Sequence, residues 1–271
     1  MMRTPLACAI CLVEGRPEML KRAVQAFCNQ TYQNKRMLLF DTSPEFPDTT
    51  INEEDVWGMW SPPAGRSIGE LRNDAIDTTS ADIICHFDSD DWSSPRRIEE
   101  QVALLESSGA EAVGYHEAIF WDETLVGHIE HAARFEIRGG EAVEIAAPVM
   151  DIGEAYLYYN PRPNYAIGAS LAYWRSTWQR RPFPHLPIPG NRQSAGEDAE
   201  WLKGVKCVAV SSIGADVPLP GLPVNDLDPS LICSIHGQNS QAYDLALASP
   251  YFKRAAWFDD YCRAQMRLEG K

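Results

Sequence analysis

Three carboxylates in four residues, Asp88-Ser89-Asp90-Asp91, stand directly after the apolar run Ile83 to Phe87. Charges of one sign this close repel. A hard divalent cation such as Mg²⁺ or Mn²⁺ relieves the repulsion, takes oxygen ligands and can bridge one or two carboxylates to a diphosphate. The same residues also fit a simpler role as an acidic turn before a helix, where Asp is favourable by itself. Gly196-Glu197-Asp198 is a second candidate, two adjacent carboxylates entering a helix-like stretch. An Asp there could act as general base on a hydroxyl, or the pair could be an ordinary acidic first turn. His236, in Ile235-His236-Gly237-Gln238-Asn239, follows the apolar Leu231-Ile232-Cys233 and could complete a metal site or be a plain polar residue.

Other chemistries lack their residues. His116-Glu117 has no second histidine at metalloprotease spacing, and Gly168-Ala169-Ser170-Leu171-Ala172 lacks the last glycine of a nucleophile elbow. His128-x-x-His131 reads as a solvated pair, and neither a phosphate loop nor a dinucleotide fingerprint occurs.

The elements that must position these carboxylates alternate between strand and helix, the order of crossovers in a mostly parallel sheet. Leu6 to Val13 reads as a buried first strand; Pro17 suits the first position of a helix carrying Leu20, Val24 and Phe27. Arg36 to Asp41 gives a second strand, followed by a loop rich in Pro, Asp and Thr. A helix is expected over residues 68 to 77, then a buried strand from Ile83 to Phe87 whose carboxyl end meets the acidic residues, the place where open α/β sheets put ligands. Ser94 and Pro95 are expected to open the next helix and Gly109 to close it, before a strand from Ala112 to Phe120. Beyond residue 125 the pattern is irregular and aromatic, from Tyr156 through Trp178. It resumes with a helix start at Gly196 and a strand from Val205 to Val210, and the last 30 residues are expected to pack back as a helical tail.

At 271 residues, 45% apolar and 23% charged, the composition fits a folded globular chain. Acids outnumber bases 38 to 24, a net charge of −14 that argues against general nucleic-acid binding, which needs Lys and Arg to offset phosphate. The longest apolar run, Leu6 to Val13, is far short of the roughly 20 residues of a membrane helix, and no signal-peptide cleavage pattern follows it. Seven scattered cysteines point to a reducing cytoplasm, with Cys8 and Cys11 structural because they would face opposite sides of one strand.

Taken in order, these segments resemble the family-2 glycosyltransferases, inverting enzymes of the GT-A fold. The resemblance rests on Glu14-Gly15-Arg16-Pro17 after the first strand, Gln30-Thr31-Tyr32 after the first helix, Phe40-Asp41, Leu71-Arg72-Asn73-Asp74-Ala75, and Asp88-Ser89-Asp90-Asp91 with Pro95 five residues after Asp90. It covers residues 5 to 109 closely and reaches more loosely to about residue 239. It implies an α/β fold with a Rossmann-like mixed sheet flanked by helices. One large catalytic domain over residues 1–239 would divide into a nucleotide-sugar half (1–110) and an acceptor half (111–239), with 240–271 a helical tail.

The resemblance further implies that Val13, Glu14, Asp41 and Arg72 hold the nucleotide base and that Asp88 and Ser89 contact the donor. Asp88 and Asp90 would share ribose and a Mn²⁺ or Mg²⁺ ion, His236 would be a late metal or diphosphate ligand, and Asp91 would orient the loop. Asp198 would be the base that takes the acceptor's proton, and Glu197 would position the acceptor. The expected reaction is metal-dependent, inverting transfer of one sugar from a nucleotide-sugar, a UDP-sugar before others, to a glycan, lipid-linked sugar or other hydroxyl compound. Val13-Glu14-Gly15 departs from the aromatic or Asn of many relatives, which alters the base contact. A metal-dependent phosphohydrolase and a non-catalytic sugar-nucleotide or glycan-binding protein are the alternatives from other classes.

Overall fold

The computed structural model describes residues 3–13, 17–43, 54–61, 65–122, 134–138, 141–145, 153–186, 196–213, 229–235 and 250–266. Strand β1 (Ala7–Val13) leads to helix α1 (Pro17–Cys28), β2 (Lys35–Asp41), β3 (Val56–Trp60), α2 (Ile68–Asp77), β4 (Ile83–His86), the two-residue β5 (Trp92–Ser93), α3 (Arg97–Ser108) and β6 (Ala112–Asp122). The hairpin strands β7 (Arg134–Arg138) and β8 (Glu141–Ile145) pair with each other. Then come β9 (Glu154–Tyr159), a 3₁₀ turn at Gly168–Ser170, β10 (Ala172–Trp174), α4 (Arg175–Arg180), α5 (Glu197–Leu202), β11 (Cys207–Ser211), β12 (Leu231–Ile235), β13 (Phe252–Arg254), a second 3₁₀ turn and α6 (Asp259–Met266).

The main sheet runs β13-β9-β6-β10-β4-β1-β2-β3. β4, β1, β2 and β3 are parallel, and β10 enters between β4 and β6 antiparallel to both. β1 alternates between two cores: Ala7, Ala9, Cys11 and Val13 join one cluster, Cys8 and Ile10 the other. Burial on both faces is why this strand reads as an unbroken apolar run. The first face is covered by Leu20, Val24 and Phe27 of α1 and Ile98, Val102 and Leu105 of α3. Leu71, Ala75 and Ile76 of α2 cover the second with Trp178, Trp201 and Leu202. Cys8 and Cys11 accordingly lie on opposite faces, and burial pushes the Cys8 thiol up to about 12. All seven cysteines are free thiols.

β6 is the hub of the second half. Its start pairs with β10 and β11, and its end pairs with β9 and β12. The C-terminal segment closes this end, with Phe258, Cys262 and Met266 packed against Ile119, Trp121, Ala155 and Ile232.

Four expectations change. Residues 56–60, inside the expected loop, form strand β3, because Val56 joins the core and pairs with Met37. The third helix begins at Arg97 rather than Pro95, since residues 92–93 are held as a strand against β12 and the Ser94 carbonyl accepts the Arg97 amide in a turn. The irregular stretch contains β9, which runs beside β6 for six residues. The tail is not all helical: residues 252–254 form the edge strand β13. Glu14, Gly15, His128, His131, His236 and residues 241–249 lie outside the described residues. No helix among those described is long and apolar enough to cross a membrane.

Candidate active site

β1, β2 and β4 end on one edge of the sheet. Val13 and Asp41 are register partners there, the Thr42 amide donates to the Val13 carbonyl, and the Asp41 carboxylate accepts the Ser43 amide at 2.8 Å. Trp60 of β3 sits level with Asp41, is 38% exposed and donates its indole N–H to the Ser43 carbonyl. Sequence reasoning missed it because its strand was read as loop.

From the same edge, β4 gives way after His86 to the acidic turn, closed by the Asp91 amide donating to the Asp88 carbonyl at 3.3 Å. The turn is anchored from three sides. Arg22 of α1 donates to the Asp90 carbonyl, the Ser234 amide of β12 donates to an Asp91 carboxylate oxygen at 2.9 Å, and Arg97 donates from one guanidinium to the carbonyls of His86 and Ala169 and to the Ser93 hydroxyl. Arg97 is fully buried, with the Phe87 ring beneath it. The carboxylates of Asp88, Asp90 and Asp91 converge, each offering an oxygen within 4.8 Å of the others. Burial, then the charges of Asp90 and Asp88, push Asp91 well above the usual carboxylate range. The Ser89 hydroxyl is buried with no hydrogen-bond partner among the described residues. Mutually repelling hard oxygen donors fit a small divalent cation by donor chemistry.

A second carboxylate pair faces this turn. Gly196, at φ 76°, turns the chain into α5, a left-handed conformation for which glycine carries no side-chain penalty. The turn presents Glu197 and Asp198, and Arg72 of α2 donates to both, at 2.8 and 2.5 Å. Asn73, the next residue, accepts the Trp178 indole N–H and the Phe183 amide and so fixes Phe183. The Phe183 ring lies under the Arg72 guanidinium and stacks on Trp201 of α5. Burial opposes the Arg72 charge, but Asp198, Glu197 and Asp88 outweigh it and raise its pKa. Burial also pushes Asp198 up to about 6; Arg72 pulls it down, while Glu197 and Asp88 push it up. His86, two residues before Asp88, brings its Nδ1 to 4.0 Å from Asp198 Oδ1, which puts the second pair beside the end of β4 that carries the acidic turn.

Two more residues seat Asp198. A Cβ on Gly168 would come within 2.0 Å of Asp198 Oδ2, so only glycine leaves room for the carboxylate. The Gly168 carbonyl accepts from His86 Nδ1 at 2.8 Å, leaving His86 Nε2 to accept from the Tyr173 hydroxyl at 3.1 Å. Burial, then Arg72, hold His86 well below its usual pKa, so the ring is neutral with its proton on Nδ1. Neither residue was marked by its sequence. Gly168 stood in a rejected motif, and His86 was hidden inside an apolar run.

The model of the family described as "Glycosyl transferase family 2" matches residues 9–146, more than half of the chain. The chain belongs to glycosyl transferase family 2. Among solved structures, S. aureus TarS 1-349 in complex with UDP-GlcNAc aligns with TM-score 0.52 and 10% identity over 87% of this chain and 60% of that one. The same fragment with UDP gives 0.51 and 10% over 85% and 60%, and a longer S. aureus TarS chain gives 0.52 and 12% over 85% and 37%. The family-2 chain thus spans about 60% of the length of the TarS fragments, and at this identity the likeness shows the fold, a GT-A-type mixed sheet flanked by helices. No curated protein sequence matches the chain.

Within this family-2 fold, Val13, Asp41, Asp88, Ser89, Asp90 and Asp91 are brought to one sheet edge. Arg72, expected at the nucleotide base, has its guanidinium against Glu197 and Asp198. β12 ends at Ile235, one residue past the Ser234 that holds Asp91, while Glu14 and His236 lie outside the described residues.

Proposed function

We propose that the chain is a metal-dependent, inverting glycosyltransferase that moves one sugar from a nucleotide-sugar, a UDP-sugar first, to an acceptor hydroxyl. The observation that carries the reading is the meeting of the Asp88-Asp90-Asp91 cluster with the Arg72-Glu197-Asp198 cluster at the carboxyl edge of a family-2 sheet. UDP and UDP-GlcNAc bound to TarS support the choice of donor.

Asp88 and Asp90 would hold Mn²⁺ or Mg²⁺, which when bound offsets the negative charge of the departing diphosphate. Asp91, tied to Ser234, keeps the loop in place; Val13 and Asp41 present the pocket floor for the base, and Ser89 contributes its hydroxyl to the donor. Asp198 is the proton acceptor. Arg72 occupies Oδ1, so Oδ2, against the Gly168 backbone, is the oxygen that takes the acceptor's proton. As that proton leaves, the acceptor oxygen bonds to the anomeric carbon, the bond from that carbon to the diphosphate oxygen breaks on the opposite face, and the configuration inverts. Glu197, buried beside Arg72, holds the guanidinium and through it Asp198.

Asp198→Asn keeps the shape and removes the base. Transfer is expected to fall by about 10²–10⁴-fold, with donor affinity changed no more than a few-fold; unchanged turnover would remove Asp198 from the role of base. A binding-only protein would show no transfer in either form.

A further inference from the structure

β6 is buried at every position except His116 and Glu117. The register explains the exception: β11 steps from Val210 to Ser211 while β6 steps from Tyr115 to Glu117, so β6 carries one extra residue at this level. A bulge bends its strand, re-aims side chains and recurs beside functional sites. Here it delivers Glu117 to the wall of a cavity of about 420 Å³, lined also by Tyr159, Pro161, Pro250, Tyr251 and Lys253.

The walls are set in place. Tyr159 is 46% exposed, yet the His116 ring meets it edge-on with centroids 5.5 Å apart. Arg162 lies over the Tyr251 ring and donates to its hydroxyl at 3.3 Å. The Glu117 carboxylate accepts from the Ser211 hydroxyl at 2.6 Å. Tyr156, Tyr158 and Tyr165, the other tyrosines of this stretch, are partly buried against the Phe120 cluster, so Tyr159 is the one that offers an open face.

Fixed aromatic and proline rings with one carboxylate and one ammonium at the rim suit a ligand with an apolar C–H face and a border of hydroxyls. A saccharide ring has both: its C–H face covers a tyrosine, and its hydroxyls donate to Glu117 and accept from Lys253. A phosphate would meet the carboxylate, and a purely apolar chain would leave both charges unanswered. The cavity and the proposed base lie on opposite faces of the sheet: Leu157 and Tyr159 of β9 line the cavity, while the alternate residue Tyr158 turns the other way to Tyr165, which the Asp198 charge reaches.

We propose that this cavity between β6, β9 and β13 binds a neutral saccharide, at a site on the opposite face of the sheet from Asp198 and separate from the reacting hydroxyl. This saccharide site stands independently of the transferase reading above.

The test is saturation-transfer NMR and titration of maltotriose, cellotriose and chitotriose against the full chain, beside a separate thermal-shift measurement with UDP and Mn²⁺. At least one triose is expected to bind the wild type, to weaken fivefold or more in Tyr159→Ala and twofold or more in Glu117→Gln. Affinity should stay within twofold in Trp257→Ala, whose ring is exposed and does not line the cavity. No binding by any triose, or equal binding by Tyr159→Ala, overturns the saccharide site and leaves the nucleotide reading standing if UDP still shifts the melting temperature. Triose binding lost in Tyr159→Ala with no response to any nucleotide would support the saccharide site and count against the transferase reading alone.

Discussion

Asp198 carries its proton over a pH range set by neighbours of both signs. Burial, Glu197 and Asp88 raise it to about 6 from an ordinary value of 3.8, against the pull of Arg72. A base must be deprotonated, so the rate of transfer is expected to fall below about pH 6, tenfold per pH unit, in a pH–rate profile. Stability runs the other way. Between about pH 6 and pH 4 the folded chain binds a proton here that the unfolded chain does not, so this group's destabilising effect is present above 6 and is relieved as pH falls. Thermal melts should therefore show Asp198→Asn gaining on the wild type as pH rises through 6; a constant difference from pH 4.5 to 8 would contradict the buried carboxylate. Gly168→Ala places a methyl where Asp198 Oδ2 stands, and is expected to lower turnover at least tenfold while costing about 1–3 kcal/mol in denaturant melts. Asp198 and the acidic turn were legible as candidates because of their order with the other motifs, since acidic first turns alone would account for either run. Gly168 and His86 were not, because their contribution is a vacancy and a tautomer, which arise only when residues 82 positions apart meet.

At the scale of elements, Arg97 joins β4, β5, the Gly168–Ser170 turn and the start of α3 through three hydrogen bonds and one cation–π contact made by a single buried side chain. Arg97→Met leaves the His86 and Ala169 carbonyls without that donor, and the loss is expected to be about 2–5 kcal/mol by chemical denaturation. Because the same arginine ties down the His86 carbonyl at the end of β4, where the acidic turn begins, the variant should also bind Mn²⁺ more weakly through lost geometry, against the electrostatic gain from removing a positive charge; full stability with unchanged Mn²⁺ affinity would show that the turn holds itself. The strands of the first half were legible as unbroken apolar runs, because both their faces are buried, and the helices by their apolar period; α2 runs over residues 68–77 as expected, started by the Ser67–Glu70 capping box. β3 and β9 were not: β3 keeps only Val56 in the core and exposes Met59 and Trp60, and β9 mixes half-buried and exposed aromatics, so neither shows a clean period of two.

Over the whole molecule, the parallel strands direct their carboxyl ends to one edge, and the converging carboxylates there are part of the chain's net charge of −14. The acidity that argues against a nucleic-acid partner is, at this edge, what a divalent cation and a diphosphate together would neutralise. Fold and acidic turn could be read from the order of motifs, whereas the contact between Arg72 and the Glu197-Asp198 pair spans more than 120 residues and follows only from α2 and α5 packing on the same face. A ligand that binds only the folded chain stabilises it by about 2.7 kcal/mol at one hundred times its Kd, roughly 5–10 °C for a chain near this size. The most direct measurement is therefore the melting temperature of the wild type with UDP, GDP and TDP, each with and without Mn²⁺, repeated on Asp88→Asn. The account predicts a shift of that order with one nucleotide, UDP first, dependent on Mn²⁺ and lost in Asp88→Asn. No shift with any nucleotide, or a shift indifferent to both Mn²⁺ and Asp88, would contradict it.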